Sequence, residues 1–476
     1  MSRNQCGNVI CCRTCMPTSG YKDVVPTSAP SVSRIEFPPW SSSVLCLPSG
    51  PSLLRQIPAV SCRRYLVHSC LPIRQATMRH SLLSLGACLL PFCSAQATAK
   101  PQPDADGKYW IHGQGISAAF VPYGASVANV FVNDRYGIRR DIVTGFDNAT
   151  HFSEDKKHDH FGGVPGRYAN RIRNSTFEID GETFHILPNE HKTPEHPDGL
   201  NTLHGGPKGW DWRNFTVVSH SNDSITFSIV DPDGEQGFPG EVVSYVTYTL
   251  GNMTWDFKIV AMATTKKTPI MLTSHAYWNL DGFSNNETNK IYNHTFHIPN
   301  GGQRVDVDNI LIPTGDILAN QKHSINDFWS APKQIGANFS SPGMLGNCGF
   351  NCTGYDNCWL VNRAQDGPYN WRTSGPVASV WSDWSGIRLD IFSDQDAFQM
   401  YSCGGQDGSM PLKKTQGIND NPNFPRTIAK DGCIVLEVQD YIDAINQPSW
   451  QRSKKQIFGP GDDPYVLQAS YRFSHV

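Results

Sequence analysis

The chain has 476 residues, of which 17% are charged, and its formal net charge at pH 7 is −3. This balance excludes the basic surface on which nucleic-acid-binding proteins depend, so no nucleic-acid partner is expected. The length allows two or three domains, although β-sandwiches of more than 200 residues often form a single unit.

The first 77 residues differ in composition from the rest of the chain. They contain seven of the 14 cysteines, many serines and prolines, and no clear hydrophobic period. Cys11, Cys12 and Cys15 can be read as metal ligands, but no histidine or second cysteine pair stands at zinc-site spacing. We therefore expect residues 1–77 to be disordered or not part of the mature protein.

The next segment, 78–97, has the three regions of a secretory signal peptide. Met78-Arg79-His80 is a basic start, 81–93 is an apolar run, and Ala95-Gln96-Ala97 is a small-residue cleavage site. This pattern predicts that Met78 is the true start and that the protein is secreted to the extracellular space. A signal anchor is the alternative, but the apolar run is short for a bilayer span, so no stable membrane insertion is expected.

Glycosylation sequons and cysteines agree with secretion to the extracellular space. Five cysteines remain after cleavage, so at least one stays unpaired in a monomer, and a local disulfide is plausible among Cys348, Cys352 and Cys358. Nine Asn-x-Ser/Thr sequons together indicate an extracellular glycoprotein, although each alone is weak. The sequon asparagines are Asn148, Asn174, Asn214, Asn222, Asn252, Asn286, Asn293, Asn338 and Asn351.

From residue 108 to residue 476 the pattern is typical of β-structure almost throughout. Hairpin turns are predicted around Ser221-Asn222-Asp223 and around Gly251-Asn252, and no stretch of 12 residues keeps a helical period. Closely spaced strands without an internal repeat or linker predict one large antiparallel β domain, a sandwich or barrel. The predicted strands are 215–218, 224–230, 242–250, 253–263, 270–273, 388–392, 398–401, 433–438 and 465–473.

Four polar clusters stand out against this background. They contain two histidines, one arginine and one glutamate, each in a short stretch bounded by glycine or apolar residues. A histidine with a carboxylate is the minimum equipment for moving two protons in one active site. Nothing in the sequence indicates a metal, a nucleotide or a covalent nucleophile, so no cofactor or metal is expected. The clusters are 169–172, 201–206, 274–280 and 436–440.

Each of the four central residues has a structural alternative. His275 and His204 can be hydrogen-bonded structural histidines, and Arg171 can be a surface arginine. Glu437 is the most informative, because it interrupts an apolar strand, where a carboxylate is costly unless it is paired or functional. Burial would raise the pKa of Glu437 and a nearby Arg171 would lower it, and the sequence does not say which effect prevails.

Together the clusters resemble one family, the aldose 1-epimerases, also called galactose mutarotases. The resemblance spans about residues 108–476, and its motifs occur in the family's order. They are Gly166-Arg167-Tyr168-Ala169-Asn170-Arg171-Ile172, Leu203-His204-Gly205-Gly206, Ser274-His275-Ala276-Tyr277-Trp278-Asn279-Leu280, Gly354-Tyr355-Asp356-Asn357, and Leu436-Glu437-Val438-Gln439 with Asp443-Ala444-Ile445-Asn446-Gln447-Pro448.

The resemblance implies a supersandwich of two extensively packed β-sheets with a sugar cleft on one sheet. It also implies that Glu437 is the general base and His275 the general acid of anomer interconversion in aldohexoses such as galactose and glucose. The substrate-binding residues that it implies are Asn170, Arg171, His204, Tyr277, Asp356 and Gln399.

The chemistry explains why an acid and a base are needed together. To open a pyranose ring, a base takes the proton of the C1 hydroxyl while an acid protonates the ring oxygen. The C1–C2 bond then turns and the ring closes on the other face with the two roles reversed. Arg171 and His204 can hold the oxygens whose charge changes. No redox step or attack by water occurs.

Three other functions remain open at this point. A β-sandwich glycoside hydrolase would need two carboxylates, for which Asp356 and Glu437 are a possible pair. A non-catalytic carbohydrate-binding module would use aromatic stacking but would not need both His275 and Glu437. An epimerase of phosphorylated sugars would want extra cations such as Arg167 and Arg173, although secretion argues against that substrate. The sequence leaves the preferred hexose and the oligomeric state open.

Overall fold

Strands dominate the part of the chain that the structure, a computed structural model, describes, which is residues 101–157, 160–363 and 370–476. These residues belong to one unit, Ser94–Val476. The segments 1–77 and 78–97, for which we predict disorder and a signal peptide, lie outside the described residues. In the described ranges, no helix is both long and apolar enough to cross a membrane.

The strands have the following bounds in chain order. They are β1 Tyr109–Gly113, β2 Ile116–Val121, β3 Ser126–Asn133, β4 Arg139–Asp141, β5 Arg171–Ile172, β6 Thr176–Ile179, β7 Glu182–His185, β8 Thr202–Leu203, β9 Thr216–His220, β10 Ser224–Asp231, β11 Val242–Leu250, β12 Thr254–Ala263, β13 Thr268–Pro269, β14 Tyr277–Trp278, β15 His294–His297, β16 Gln303–Val307, β17 Pro313–Ala319, β18 Lys333–Gln334, β19 Asp356–Leu360, β20 Ala378–Ser382, β21 Ile387–Ser393, β22 Ala397–Tyr401, β23 Ile434–Gln439, β24 Ile457–Phe458 and β25 Tyr465–His475.

Helical structure is confined to short pieces in the described ranges. The α-helices are α1 His151–Glu154 and α2 Ser453–Gln456. Single 3₁₀ turns occur at Arg173–Ser175, Trp210–Trp212, Glu235–Gly237, Ile291–Asn293, Ile335–Asn338, Pro342–Met344, Ala444–Asn446 and Pro448–Trp450.

Two large antiparallel sheets share the main core. The nine-stranded sheet has the order β18-β15-β20-β21-β25-β12-β11-β10-β9, and the six-stranded sheet has the order β14-β23-β22-β19-β16-β17. A four-stranded sheet β1-β2-β3-β4 and the pairs β13-β24, β5-β8 and β6-β7 complete the architecture. The predicted all-β antiparallel sandwich is therefore confirmed.

Side-chain alternation explains how these strands form the core. In β12, Trp255, Phe257 and Ile259 are buried while the residues between them are half-buried or exposed. Trp255 packs with Trp278 of β14 and with Tyr471 of β25, with ring centroids 5.7 and 5.4 Å apart. Because successive side chains point to opposite faces of a strand, one face of each sheet is left for other contacts.

Most predicted strands are confirmed within a few residues, including both hairpins, β9–β10 and β11–β12. The predicted strand at 270–273 is wrong. Ile270 donates its backbone N–H to Gln456 and Met271 donates to Arg167, so consecutive residues bond to different segments and no ladder forms. An apolar run can satisfy its backbone in this way without joining a sheet.

The disulfide prediction is also confirmed. Cys348 and Cys352 form the local disulfide, and a second bond joins Cys403 to Cys433. The fifth cysteine of the domain, Cys358, is a buried free thiol in β19.

Candidate functional site

A cavity of about 280 Å³ lies on the face of the six-stranded sheet that points away from the core. This volume is just below the roughly 300–1,000 Å³ of sites for drug-sized ligands, which suits a single small ring. Its lining residues are His160, Asn170, Arg171, Leu203, His204, His275, Tyr277, Asp356, Tyr401 and Glu437.

Strand alternation places Glu437 at this cavity. In β23 its neighbours Leu436 and Val438 point into the main core, so Glu437 points to the opposite face. Glu437 pairs in register with Gln399 of β22. It is only 2% exposed, and within the described residues its Oε1 atom has no hydrogen-bond partner. A buried, unpaired carboxylate oxygen at a cavity is costly for stability and therefore indicates a functional role.

His275 lies across from Glu437 on the segment that leads into β14. Its Nε2 atom is 3.9 Å from Oε1 of Glu437, which is too long for a direct hydrogen bond. Backbone bonds fix the segment: the His275 N–H donates to Gly163 at 2.8 Å, and the Gly162 N–H donates to His275 at 3.1 Å. The two side chains therefore share one cavity without being bonded to each other.

Arg171 is held by two carboxylates. Its Nε and one terminal nitrogen contact Glu190 at 3.0 and 2.8 Å, and the same terminal nitrogen lies 3.6 Å from Asp356. Burial opposes the charge of Arg171, but Glu190 and Asp356 outweigh it and raise the pKa of the guanidinium. A permanent, oriented cation of this kind can hold sugar oxygens.

Hydrogen bonding fixes the tautomer of His204. Its Nδ1 atom accepts the backbone N–H of Asn170 at 3.1 Å, so in the neutral ring the proton is on Nε2. Burial, with charge from His160 and His275, lowers the pKa of His204 well below 6.5. His204 is therefore a neutral ring with Nε2–H as its hydrogen-bond donor.

The same tautomer decides whether the cluster suits a metal ion. Potential ligand atoms of His204, His275 and Glu437 lie within 4.8 Å of one another. Metal-binding histidines normally donate a hydrogen bond from the ring nitrogen that does not bind the metal. In His204 that nitrogen accepts a hydrogen bond instead, so the neutral ring has no lone pair left for a metal. The donor set fits sugar hydroxyl groups better than a cation.

Asp356 and Gln399 are joined by a hydrogen bond beside the cavity. Asp356 lines the cavity, and Gln399 donates its Nε2–H to Asp356 Oδ1 at 2.6 Å. Gln399 itself does not line the cavity and is 2% exposed. The structure thus places Gln399 beside a predicted sugar-binding residue, whereas Asn170, Arg171, His204, Tyr277 and Asp356 reach the cavity together with the acid–base pair.

Burial determines the direction in which the pKa of Glu437 is shifted. It raises the pKa of this carboxyl well above 4.5, with a further contribution from Asp356, and Arg171 only partly offsets the shift. Burial, followed by the charge of His160, lowers the pKa of His275 well below 6.5. Both shifts therefore favour the uncharged forms of the two groups.

Comparison with known proteins assigns this chain to a family. The family model of aldose 1-epimerases matches residues 109–462. The chain belongs to the aldose 1-epimerase family. A probable aldose 1-epimerase of Arthroderma benhamiae is 38% identical over 77% of this chain and 86% of that protein. The galactose mutarotase of Bos taurus is 30% identical over 77% of this chain and 94% of that protein.

A solved structure agrees with this family membership. The aldose epimerase homologue from C. elegans superposes with a TM-score of 0.64 at 28% identity. The match covers 78% of this chain and 99% of that one. The two large sheets described above are thus the fold of an aldose epimerase.

Sequence reasoning missed several residues of this aldose epimerase site. His160 and Tyr401 line the cavity, Glu190 binds Arg171, and Asp211 pairs with His160. The only signal for Asp211 is its position between Trp210 and Trp212, where a buried carboxylate would need a partner. Tyr401 lies two residues after Gln399 in the predicted strand 398–401, so strand alternation could have placed it on the same face. His160 and Glu190 have no local pattern, because long-range contacts bring them to the site.

A second cavity of about 280 Å³ lies elsewhere on this unit, along Asp396, Asp440, Arg452 and Lys455. Its charged groups already pair with one another: Arg452 contacts both Asp396 and Asp440, and Lys455 contacts Asp396. These paired groups are a structural network, and the lining has no histidine to combine with a carboxylate.

Proposed function

We propose that Glu437 and His275 interconvert the α and β anomers of an aldohexose held in the cavity. Membership of the aldose 1-epimerase family makes the chain an aldose epimerase. The observation that supports these residue roles is the shared cavity, in which two buried and mutually unbonded acid–base groups lie 3.9 Å apart. Two neighbouring oxygens of one sugar can therefore contact the two groups.

In this proposal Glu437 takes the C1 hydroxyl proton and His275 delivers a proton to the ring oxygen. The C1–O5 bond breaks, the aldehyde forms, and the C1–C2 bond rotates. Ring closure on the other face returns both protons, so no net proton is gained or lost. Positioned acid–base groups of this kind typically contribute about 10²–10⁴-fold each.

The proton distribution between Glu437 and His275 adds one step to this scheme, the transfer of a proton from Glu437 to His275 before the ring opens. In the empty site burial favours protonated Glu437 and neutral His275. Burial opposes the reactive distribution, with Glu437 charged and His275 protonated, and Arg171 favours it by stabilising the carboxylate. Each group plays both roles within one turnover, so the pair needs a single proton in either distribution.

The neighbouring side chains supply binding and charge stabilisation. Arg171 and the Nε2–H of His204 are donors for sugar oxygens, Asp356 accepts hydrogen bonds from sugar hydroxyl groups, and Asn170 and Tyr277 complete the cavity wall. We propose galactose and glucose as substrates, since relatives such as the protein from Bos taurus are named galactose mutarotases. This assignment is the reason to assay both hexoses.

Polarimetry on fresh anomers tests the proposal. Glu437→Gln removes the base while keeping the side-chain shape, so we expect it to fold and to lose about 10²–10⁴-fold in kcat. Glu182→Gln, at an exposed position of β7, is the matched control and should keep wild-type activity. Near wild-type turnover by Glu437→Gln would show that the base is another residue. Release of reducing ends from an oligosaccharide would favour the hydrolase alternative instead.

We also propose that the protein is secreted after removal of the segment 78–97. Two observations support this: seven of the nine sequon asparagines are exposed and the other two half-buried, so all can accept glycans, and both disulfides need an oxidising compartment. N-terminal sequencing of culture-medium protein and enzymatic deglycosylation test it. A mature chain that keeps residues before 78, or unmodified sequons, would contradict it.

A further inference from the structure

A third histidine, His160, forms part of the cavity wall although the reaction scheme assigns it no role. Its ring centroid lies 4.6 Å from that of His204 and 5.5 Å from that of His275. The side chain is 14% exposed and lines the same cavity as Glu437. It therefore lines the same cavity as the two histidines that the sequence motifs identify.

The backbone holds His160 in an unusual conformation. Its φ is +67°, in the left-handed region that non-glycine residues rarely occupy. Asn170 and His204, at the same cavity, have φ values of +61° and +52°. Such outliers persist only where surrounding contacts fix them, and they concentrate at functional sites.

Those surrounding contacts connect the His160 turn directly to His275. The Gly163 N–H bonds back to the His160 carbonyl at 3.2 Å, and Gly162 and Gly163 exchange backbone bonds with His275. A Cβ on Gly163 would lie 2.7 Å from the Cβ of Asp211, so only glycine allows this close approach. The turn thus brings His160 to both His275 and Asp211.

Asp211 orients the ring of His160. Its Oδ2 contacts Nδ1 of His160, and the carboxylate is only 1% exposed. Asp211 lies in the 3₁₀ turn Trp210–Trp212, which a 2.8 Å bond from Trp210 to the Gly166 carbonyl fixes. Because a carboxylate only accepts, Nδ1 donates to it, and any contact of the ring with a sugar would use Nε2.

We propose that His160 contacts the bound sugar and that Asp211 is a positioning residue that fixes the orientation of the His160 ring. This inference rests on the proposed function, since it adds a residue to the same sugar site. His160 then presents Nε2 to one sugar hydroxyl while His204 donates Nε2–H to another.

Steady-state kinetics of two variants test the inference. We expect His160→Gln and Asp211→Asn each to raise KM for galactose about tenfold, the loss expected for one hydrogen bond, with kcat within about threefold of wild type. KM does not depend on the amount of active enzyme, so partial unfolding alone would not move it. His185→Gln, an exposed histidine of β7, should leave both constants unchanged. Wild-type KM in both cavity variants would overturn the proposal.

A second pair of measurements covers the case in which these variants do not fold. The double variant His160→Phe with Asp211→Asn keeps an aromatic ring and leaves no unpaired charge, and it should show the same rise in KM. A structure of the wild-type protein with galactose should place a sugar oxygen within about 3.2 Å of the His160 ring nitrogen. A sugar beyond that distance refutes the proposal whatever the variants do.

Failure of the proposed function gives a different result. In that case wild-type protein would not accelerate mutarotation at all, while calorimetric binding of galactose to wild type and His160→Gln would still compare the contact directly. Equal affinities would overturn the inference, and an approximately tenfold weaker binding by the variant would support it.

Discussion

Glu437 and His275 are both buried, and burial shifts the pKa of the acid and the pKa of the base in opposite directions. Burial raises the pKa of Glu437 and lowers that of His275. Over the range between the two macroscopic pKa values the pair holds one proton. Below that range a second proton binds, both groups are protonated, and no base remains.

This argument predicts where the acid limb of activity lies. Because the pKa of His275 is lowered well below 6.5, His275 stays unprotonated until the pH falls past that lowered value. We therefore expect kcat/KM for galactose to be retained at pH 6.5 and to fall only at lower pH. Polarimetry with the spontaneous rate subtracted at each pH measures it. A limb with its midpoint at or above pH 6.5 would contradict the assigned environment of His275.

At the residue scale the sequence identifies which side chains can take part in acid–base chemistry better than it predicts where they lie. Glu437, His275 and Arg171 stand in recognisable motifs, and the structure brings them to one cavity. The direction of the Glu437 pKa shift could not be predicted, because burial and Arg171 act in opposite senses and only the folded distances decide between them. His160 has no motif, since its place depends on the turn beside it and on Asp211, about 50 residues later.

At the scale of elements, strands with alternating burial were predictable and irregular segments were not. β11 and β12 show the two-residue period in sequence and form the hairpin it predicts. The run 270–273 is equally apolar but bonds to separate segments, which no local pattern records. The long connection between β22 and β23 likewise depends on contacts with distant strands.

A buried ion pair anchors that connection to β4. Nζ of Lys413 lies 3.0 Å from Asp141, and both side chains are completely buried. Gln416, in the same connection, donates to the Val143 carbonyl at 2.7 Å. The next residue after Val143, Thr144, donates its backbone N–H to the carbonyl of Tyr277 in β14 at 2.9 Å. The connection therefore supports the strand that carries a cavity residue.

We predict that Lys413→Met lowers the free energy of unfolding by about 3–5 kcal/mol, because it leaves the buried carboxylate of Asp141 without its cation. Chemical denaturation followed by tryptophan fluorescence measures this change. The adjacent, exposed Lys414→Met is the matched control and should shift stability by less than about 0.5 kcal/mol. A similarly small effect of Lys413→Met would show that Asp141 does not depend on this lysine.

At the scale of the whole molecule, the cavity lies on the face of the six-stranded sheet opposite the core that this sheet shares with the nine-stranded sheet. Leu436 and Val438 pack inward and Glu437 points outward, so a single strand serves both stability and chemistry. Strand spacing predicted the sandwich, and the family motifs contain residues that the structure brings to one cavity. The sheet order was not predictable, because pairing such as β25 with β12 and β21 joins segments far apart in the chain.

The two disulfides differ in how much of the chain they constrain, which gives a prediction for the whole domain. Cys403–Cys433 closes a separation of 30 residues around Lys413, and Cys348–Cys352 closes a separation of 4. Replacing both cysteines of the long loop by alanine should lower the free energy of unfolding by about 3–4 kcal/mol, against about 2 for the short loop, because the longer loop frees more entropy in the unfolded chain. Denaturant titrations of the two double variants, each with and without reductant, measure the difference. Reductant should destabilise the wild type by about the sum of the two effects. If the short-loop variant proves the less stable of the two, loop closure is not what these bonds contribute.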